Sequence, residues 1–379
     1  MRILHLFLLA ITVASAHAAP PIVSNVRASQ RTGTHYLDIY YNVSSANSPL
    51  TVYVAISADG GTTWNVPVFT VQGAVGPGVT PGNDRYIQWN AGTDWPGQFN
   101  SQCKLRITAD DGTAPPAPSG MVYIPGGAFQ MGDTFNEGGT TELPVHAVYI
   151  SSFFMEKFDV TREVWQDVYT WATANGYQFD NAGSFNGANH PIQSVSWFDA
   201  VKWCNARSEK ANLTHCYYTS ASQATPYRSG QLTLSNSFVK WNANGYRLPT
   251  EAEWEKGARG GLAGQRYPWG NSISSANANY NGNVGSTTPV GAYAPNGYGL
   301  YDMAGNVFQW CWDSYDGNWY GNYQAVMDDT RGPAPGSYRV LRGGVWINVA
   351  FYARCANRSD LNTPSVATYS VGFRCVRGL

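Results

Sequence analysis

The sequence predicts an α+β protein in two parts, an N-terminal all-β sandwich followed by a larger domain with little regular structure. Three observations predict it. Between Pro20 and Ala109, short segments alternate apolar and polar residues with a period of two. Beyond them only three stretches carry helical spacing. The 379 residues also include 40 Gly, 14 Trp and 24 Tyr, which suits loops pinned by aromatic side chains better than long helices.

The first residues, Met1-Arg2-Ile3, lead into an apolar run from Leu4 to Val13 and then Ala14-Ser15-Ala16-His17-Ala18. One early positive charge, a short apolar core and small residues at the exit describe a cleavable signal peptide over 1–18. The run is too short for a bilayer span, which needs about 20 apolar residues. The expectation is therefore a secreted or periplasmic protein without membrane insertion. A net charge of −1 with 13% charged residues offers no basic surface for nucleic acid.

Residues 20–110 read as the sandwich. Leu37, Ile39, Tyr41 and Val43 alternate with polar neighbours, as do Leu50, Val52, Val54 and Ile56, then Cys103, Leu105, Ile107 and Ala109. An immunoglobulin-like or fibronectin-like topology is the expectation, by analogy. Within it, Ser57-Ala58-Asp59-Gly60-Gly61-Thr62-Thr63-Trp64 matches the Asp-box of sialidase-like propellers. Propellers need several copies and the chain has one, so the motif reads as a tight hairpin. A Pro-rich linker over 111–119 leads to the second domain, 120–379.

Three helices are readable there. Thr161 caps the first, which runs to Asn175 with Val164, Trp165, Val168 and Ala172 on one face and Gly176 as its stop. Ser196, with Asp199 three residues on, caps the second through Trp203-Cys204. Thr250 and Glu253 form a capping box for the third. The polar, Tyr-rich stretch Ser208 to Ala243 is expected to shape a rim or cleft. Six Cys in an exported chain without a Cys-x-x-Cys point to disulfides rather than metal thiolates. Mature histidines (His35, His146, His190, His215) show no pair at metal-ligand spacing. Asp302, Glu163 and Glu251 read as isolated acids, and Arg342, Arg354, Arg358 and Arg374 mostly as donors to carbonyls in an irregular core.

Six signatures follow one another in this domain: Met121-Val122-Tyr123-Ile124-Pro125-Gly126-Gly127, Arg247 to Glu255 (RLPTEAEWE), Tyr267-Pro268-Trp269-Gly270-Asn271, Asn296 to Val307 (NGYGLYDMAGNV), Arg339 to Trp346 (RVLRGGVW) and Val371-Gly372-Phe373-Arg374-Cys375. The series resembles the formylglycine-generating enzyme, or sulfatase-modifying factor, family. The resemblance implies a C-type-lectin-like fold, bound calcium and, in active members, a cysteine pair that holds copper and oxidises a substrate cysteine. Here the segment after Arg342-Gly343-Gly344 reads Val345-Trp346-Ile347-Asn348-Val349-Ala350-Phe351-Tyr352. The first active cysteine aligns with Asn348, the second falls in a shortened stretch, and the family's serine is Val345. Copper and formylglycine chemistry are not expected.

Calcium is the cofactor the resemblance leaves. One set of family ligands corresponds to Asn279, Tyr280, Asn283 and Val284. The other corresponds to Ala304, Gly305, Val307 and Gln309, where Gln309 stands in place of an acid. The resemblance also pairs Cys204 with Cys375 as a disulfide and leaves the partners of Cys103, Cys216, Cys311 and Cys355 open. It sets Trp346, Asn348, Tyr352 and Arg358 along the ligand pocket. The expected function is capture of a peptide, protein or glycan. The alternative is an exported oxidoreductase or tautomerase-like enzyme with a non-cysteine site.

Overall fold

The structure is a computed structural model that describes residues 21–379 apart from 59, 61–65, 67, 99, 100, 114 and 361. The predicted signal peptide and most of the predicted Asp-box turn lie outside the described residues. The chain divides into two compact units. One is drawn from Met1–Val54, Val68–Phe99 and Leu105–Pro115, the other from Ala55–Pro67, Asn100–Lys104 and Pro116–Leu379.

The N-terminal strands are β1 (Ile22–Gln30), β2 (Tyr36–Ser44), β3 (Leu50–Ser57), β4 (Val71–Gly73), β5 (Gly76–Val79), β6 (Gly82–Asn90) and β7 (Lys104–Asp110), with one helical turn, α1 (Ala91–Asp94). They form two sheets, β1-β2-β6-β4 and β5-β3-β7. Alternate residues of a strand face opposite sides, and the burial follows the sequence pattern. Ile39, Tyr41 and Val43 of β2 are buried, as are Leu50 and Val52 of β3 and Ile107 of β7. Leu37 and Leu105 are half-buried and Cys103 is exposed, so the alternation fades at strand ends. The phenol of Tyr41 donates to the Ala74 carbonyl at 2.6 Å, which satisfies the one polar atom it brings inside.

In the second unit, β8 (Met121–Ile124), β9 (Gly127–Met131), β10 (His146–Ile150), β11 (Phe153–Glu156), α2 (Arg162–Ala174), α3 (Trp197–Lys210), β12 (Tyr246–Arg247), α4 (Glu251–Arg259), β13 (Phe308–Ser314), β14 (Arg339–Arg342), β15 (Val371–Gly372) and β16 (Val376–Arg377) are joined by long irregular segments. The sheet β12-β16-β11-β8 is antiparallel throughout. In β14-β13-β15, β13 pairs antiparallel with β14 and parallel with β15.

All three predicted helices form, each with its cap. Oγ1 of Thr161 accepts from the Val164 amide at 3.3 Å. Ser196 with Asp199, and Thr250 with Glu253, make reciprocal capping boxes. Trp165, Val168 and Ala172 of α2 are buried. Val164, read as part of that face, is 37% exposed; one residue before Trp165, it lies about 100° round the helix. Trp165 stacks on Trp203 of α3 with centroids 5.6 Å apart and planes 4° apart, and Phe373 meets both edge-on. Such pairs add about 0.5–1.5 kcal/mol to their burial.

The stretch from Ser208 to Ala243, expected to shape a rim or cleft, is exposed or half-exposed along most of its length but also enters the core. Cys216, Tyr217, Tyr227, Leu234, Val239 and Ala243 are buried in the core around α2 and α3. Tyr217 stacks on Trp312 at 5.4 Å, and its oxygen accepts from the Leu248 amide at 2.8 Å. Asn205 of α3 donates to the carbonyls of Tyr217 and Tyr227 and accepts from the Cys216 and Tyr217 amides. One buried amide thus fixes a loop that supplies no strand of its own, and the tyrosines supply apolar area.

Candidate functional site

Three loops meet where β14 ends. Gly343 and Gly344 both take positive φ, 93° and 75°. A Cβ on Gly344 would stand 2.9 Å from the Tyr352 carbonyl oxygen, so only glycine allows this close approach. The turn is then tied by main-chain hydrogen bonds. The Gly305 amide donates to the Gly343 carbonyl (2.7 Å) and Trp346 N to Asn306 O (3.0 Å). Gly282 N donates to Trp346 O (2.8 Å) and Asn281 N to Asn348 O (2.7 Å). The two predicted ligand sets and three of the four predicted pocket residues therefore belong to one assembly of loops.

Asn348 closes its own turn: its amide donates to Val345 O at 2.8 Å and its Oδ1 accepts from Val345 N at 3.2 Å. Its Nδ2 has no hydrogen-bond partner among the described residues. Trp346 is half-buried, with Tyr369 at 6.5 Å between centroids. Tyr352 is 37% exposed and meets Phe351 edge-on at 5.4 Å.

Arg358 is not with them. Its Nε and Nη2 donate to the two carboxylate oxygens of Glu251 (2.7 and 2.9 Å), and Nη1 to the carbonyls of Thr141 and Asp316. A guanidinium engaged in this way is fully committed to the core, which removes Arg358 from the pocket set. Glu251 is accordingly no isolated acid. The neighbouring arginines are used the same way. Arg342 donates to the carbonyls of Cys355, Ala356 and Asn357 and to Glu255. Arg354 holds Glu142 bidentately, 2.8 Å on each arm. Beneath them Asp313 accepts from the Glu251 amide at 2.6 Å. Burial and the Glu251 charge push its carboxyl up to about 8.

The cysteines lie elsewhere. Cys204 and Cys375 are brought together with their sulfurs 3.6 Å apart, as thiols. Burial pushes the Cys216 and Cys355 thiols up to about 12 and those of Cys311 and Cys375 well above their ordinary range. The thiolate is the form that binds metal or attacks, so these are structural groups. Among the described residues no group of three or more His, Cys, Asp or Glu could hold a metal.

The predicted calcium sets fare differently. In the first, Asn279 is 1% exposed and its Oδ1 is buried without a hydrogen-bond partner. An unsatisfied oxygen of that kind suits a hard cation. Tyr280 O, however, accepts from Asn283 N (3.1 Å), Asn283 Nδ2 donates to Ala278 O (3.3 Å), and Val284 is half-exposed. In the second set, Gln309 does not fit: its Oε1 accepts from Trp254 Nε1 at 2.7 Å and Arg374 Nε at 2.8 Å. Ala304, Gly305 and Val307 are left with no side-chain oxygen beside them from that position.

Sequence reasoning passed over the row beside Asn348. Ile347 is 51% exposed, Val349 52% and Phe351 41%, and apolar residues in a Gly-led loop that begins no strand are the signal that marks them. An open depression of about 640 Å³ was also missed. It runs along α2 and is lined by Arg162, Glu163, Gln166, Asp167, Trp171 and Lys210, among others. A recess of about 10 Å³ beside Trp269 and Asp302 holds no more than about one water. Trp346, Asn348 and Tyr352 line neither.

The irregular second unit and its tied Gly-Gly turn define a domain of the formylglycine-generating-enzyme type. A family profile described as Sulfatase-modifying factor enzyme 1-like domain matches residues 109–379, and the chain belongs to that family. Formylglycine-generating enzymes of Streptomyces coelicolor and Thermomonospora curvata are each 34% identical to it, over 69% and 68% of this chain and 90% and 92% of their own. Serine/threonine-protein kinase pkn1 of Chlamydia pneumoniae is also 34% identical, over 68% of this chain, but the chain spans only 38% of that relative's length. Among solved structures, Treponema denticola variable protein 1 matches at 30% identity and a TM-score of 0.55, over 68% of this chain and 95% of its own. CarF matches at 27% and 0.54, over 69% and 99%.

Proposed function

We propose that this chain is an exported binding protein of the sulfatase-modifying-factor family, without the family's copper-dependent oxidation, and that the loop after Gly343-Gly344 is its ligand face. The observation that carries the reading is the run Ile347, Val349, Phe351 and Tyr352. Four exposed apolar side chains lie within six residues, on a backbone held from beneath by hydrogen bonds. Exposed apolar clusters of this kind mark interaction sites, and a rigid scaffold under a variable loop is how many binding surfaces are built. That a solved relative is named a variable protein accords with such a division. Asn348, at the position aligned with the first active cysteine, adds an amide donor for a peptide or glycan acceptor. The segment 1–18 is the proposed export signal, 20–110 the proposed immunoglobulin-like sandwich, and Asn279 the centre of the proposed calcium position.

Two measurements test this. With copper supplied, the protein should leave a sulfatase cysteine-motif peptide unconverted by mass spectrometry, and formylglycine at catalytic turnover would overturn the proposal. On immobilised peptide and glycan arrays, the purified chain should bind a defined subset. The triple variant I347S/V349S/Y352S should lose that binding while its unfolding free energy stays within about 0.5 kcal/mol per site, as for surface positions. Unchanged binding by the triple variant would move the face elsewhere.

A further inference from the structure

We infer that the second cation position of this family has been replaced in this chain by an amide–guanidinium hub, so that the protein binds at most one calcium ion. Gln309, on β13, has no exposed surface. Its amide orientation is determined by its neighbours. Trp254 Nε1 and Arg374 Nε are obligate donors, so the oxygen must face them, 2.7 and 2.8 Å away. The nitrogen then faces the other way, where Nε2 donates to the Asp302 carbonyl at 2.9 Å.

A calcium ion needs lone pairs at about 2.3–2.6 Å. A carboxylate at this position would offer a second oxygen on the Asp302 side. The amide presents hydrogens there instead, and both acceptor directions of its oxygen are already taken. Arg374, part of the signature Val371 to Cys375, sets a positive charge beside the Gln309 oxygen, where a cation would be repelled. It donates to the carbonyls of Glu156 (3.0 Å) and Tyr301 (2.7 Å) and to Asp159 Oδ1 (3.1 Å), besides Gln309. The nearby Asp302 carboxylate accepts from the Gly291 amide at 2.8 Å. The turn itself is closed by protein groups, with Gly305 N on Gly343 O and Asn306 N on Asn279 O at 2.9 Å. The cross-link between these turns is thus made by protein groups.

The inference stands apart from the ligand face, because it concerns how the loops beneath that face are held. The test is a count of calcium per chain by elemental analysis after equilibrium dialysis of the full protein. The wild type should hold one ion or none. Gln309→Glu should hold one more than the wild type, and its melting temperature should fall on chelation, because the new oxygen then faces the Asp302 carbonyl with nothing between. Gln309→Ala, which removes the amide without adding a carboxylate, should keep the wild-type count. Two ions in the wild type would overturn the inference without recourse to any variant. So would a folded Gln309→Glu protein that gains none, or a single wild-type ion that survives Asn279→Ala and disappears with Gln309→Ala.

Discussion

Asn348 serves two roles through one side chain: its oxygen holds the Val345 amide and its nitrogen is left for solvent or ligand. Removing a partly exposed hydrogen bond costs about 0.5–1.5 kcal/mol. Asn348→Ala should therefore lower stability by about 1 kcal/mol in denaturant titration, less than the loss expected of a core residue. A drop of several kcal/mol would identify it as part of the fold alone. Asp313 makes a pH prediction. It faces Glu251 and Glu253 of α4 together with Arg358 and Arg339, and its carboxyl is pushed up to about 8. A raised carboxyl binds its proton more tightly in the folded than in the unfolded chain, where it titrates near about 3.9. The stability it contributes is full below about pH 4 and fades as the pH rises to about 8. Asp313→Asn keeps an oxygen for the Glu251 amide and cannot ionise. Its stability relative to the wild type should rise steadily across that window, and a flat difference would show that Asp313 stays charged throughout.

At the scale of elements, the Tyr-rich stretch after α3 is where pattern and structure part. The three helices were legible because caps and apolar spacing are local: Thr161, Ser196 and Thr250 each mark a start that holds in the structure. The loop between α3 and α4 was not, since nothing local distinguishes a tyrosine on a rim from one whose oxygen accepts a distant amide. Tyr217 is such a residue, with Leu248 N at 2.8 Å and Trp312 stacked on it. Tyr217→Phe should keep the stacking and leave that amide unpaired, at a cost of about 1–3 kcal/mol, measurable as a shift in chemical denaturation. No change would mean that water replaces the oxygen. The placement of the candidate site residues was half legible for the same reason. Trp346, Asn348 and Tyr352 follow directly from their place after Gly343-Gly344. That Arg358, a few residues on, turns inward to Glu251 depends on a helix more than a hundred residues earlier in the chain.

Across the whole molecule, Cys204 on α3 and Cys375 beside β16 are 171 residues apart in sequence with their sulfurs 3.6 Å apart. In an oxidising compartment they are the pair positioned to bond. Non-reducing peptide mapping of protein recovered from such a compartment should find them linked. Closing so long a loop is worth about 4–5 kcal/mol on the chain-entropy model, so reduction should lower the melting temperature. Cys204 recovered as a free thiol from an oxidising compartment would refute the pairing. Cys216, Cys311 and Cys355, each buried, should react with alkylating reagents only after unfolding.

The antiparallel sheet of the second unit has a consequence for biosynthesis. Its strand β16 lies between β11 and β12, although both precede it in the chain by more than a hundred residues. Until residues 376–377 have left the ribosome, β11 and β12 expose backbone donors and acceptors with no partner between them. Parallel pairing of β13 with β15 waits on the same stretch. The domain therefore cannot close until the segment that carries β15 and β16 has been synthesised, in whatever order the earlier elements form.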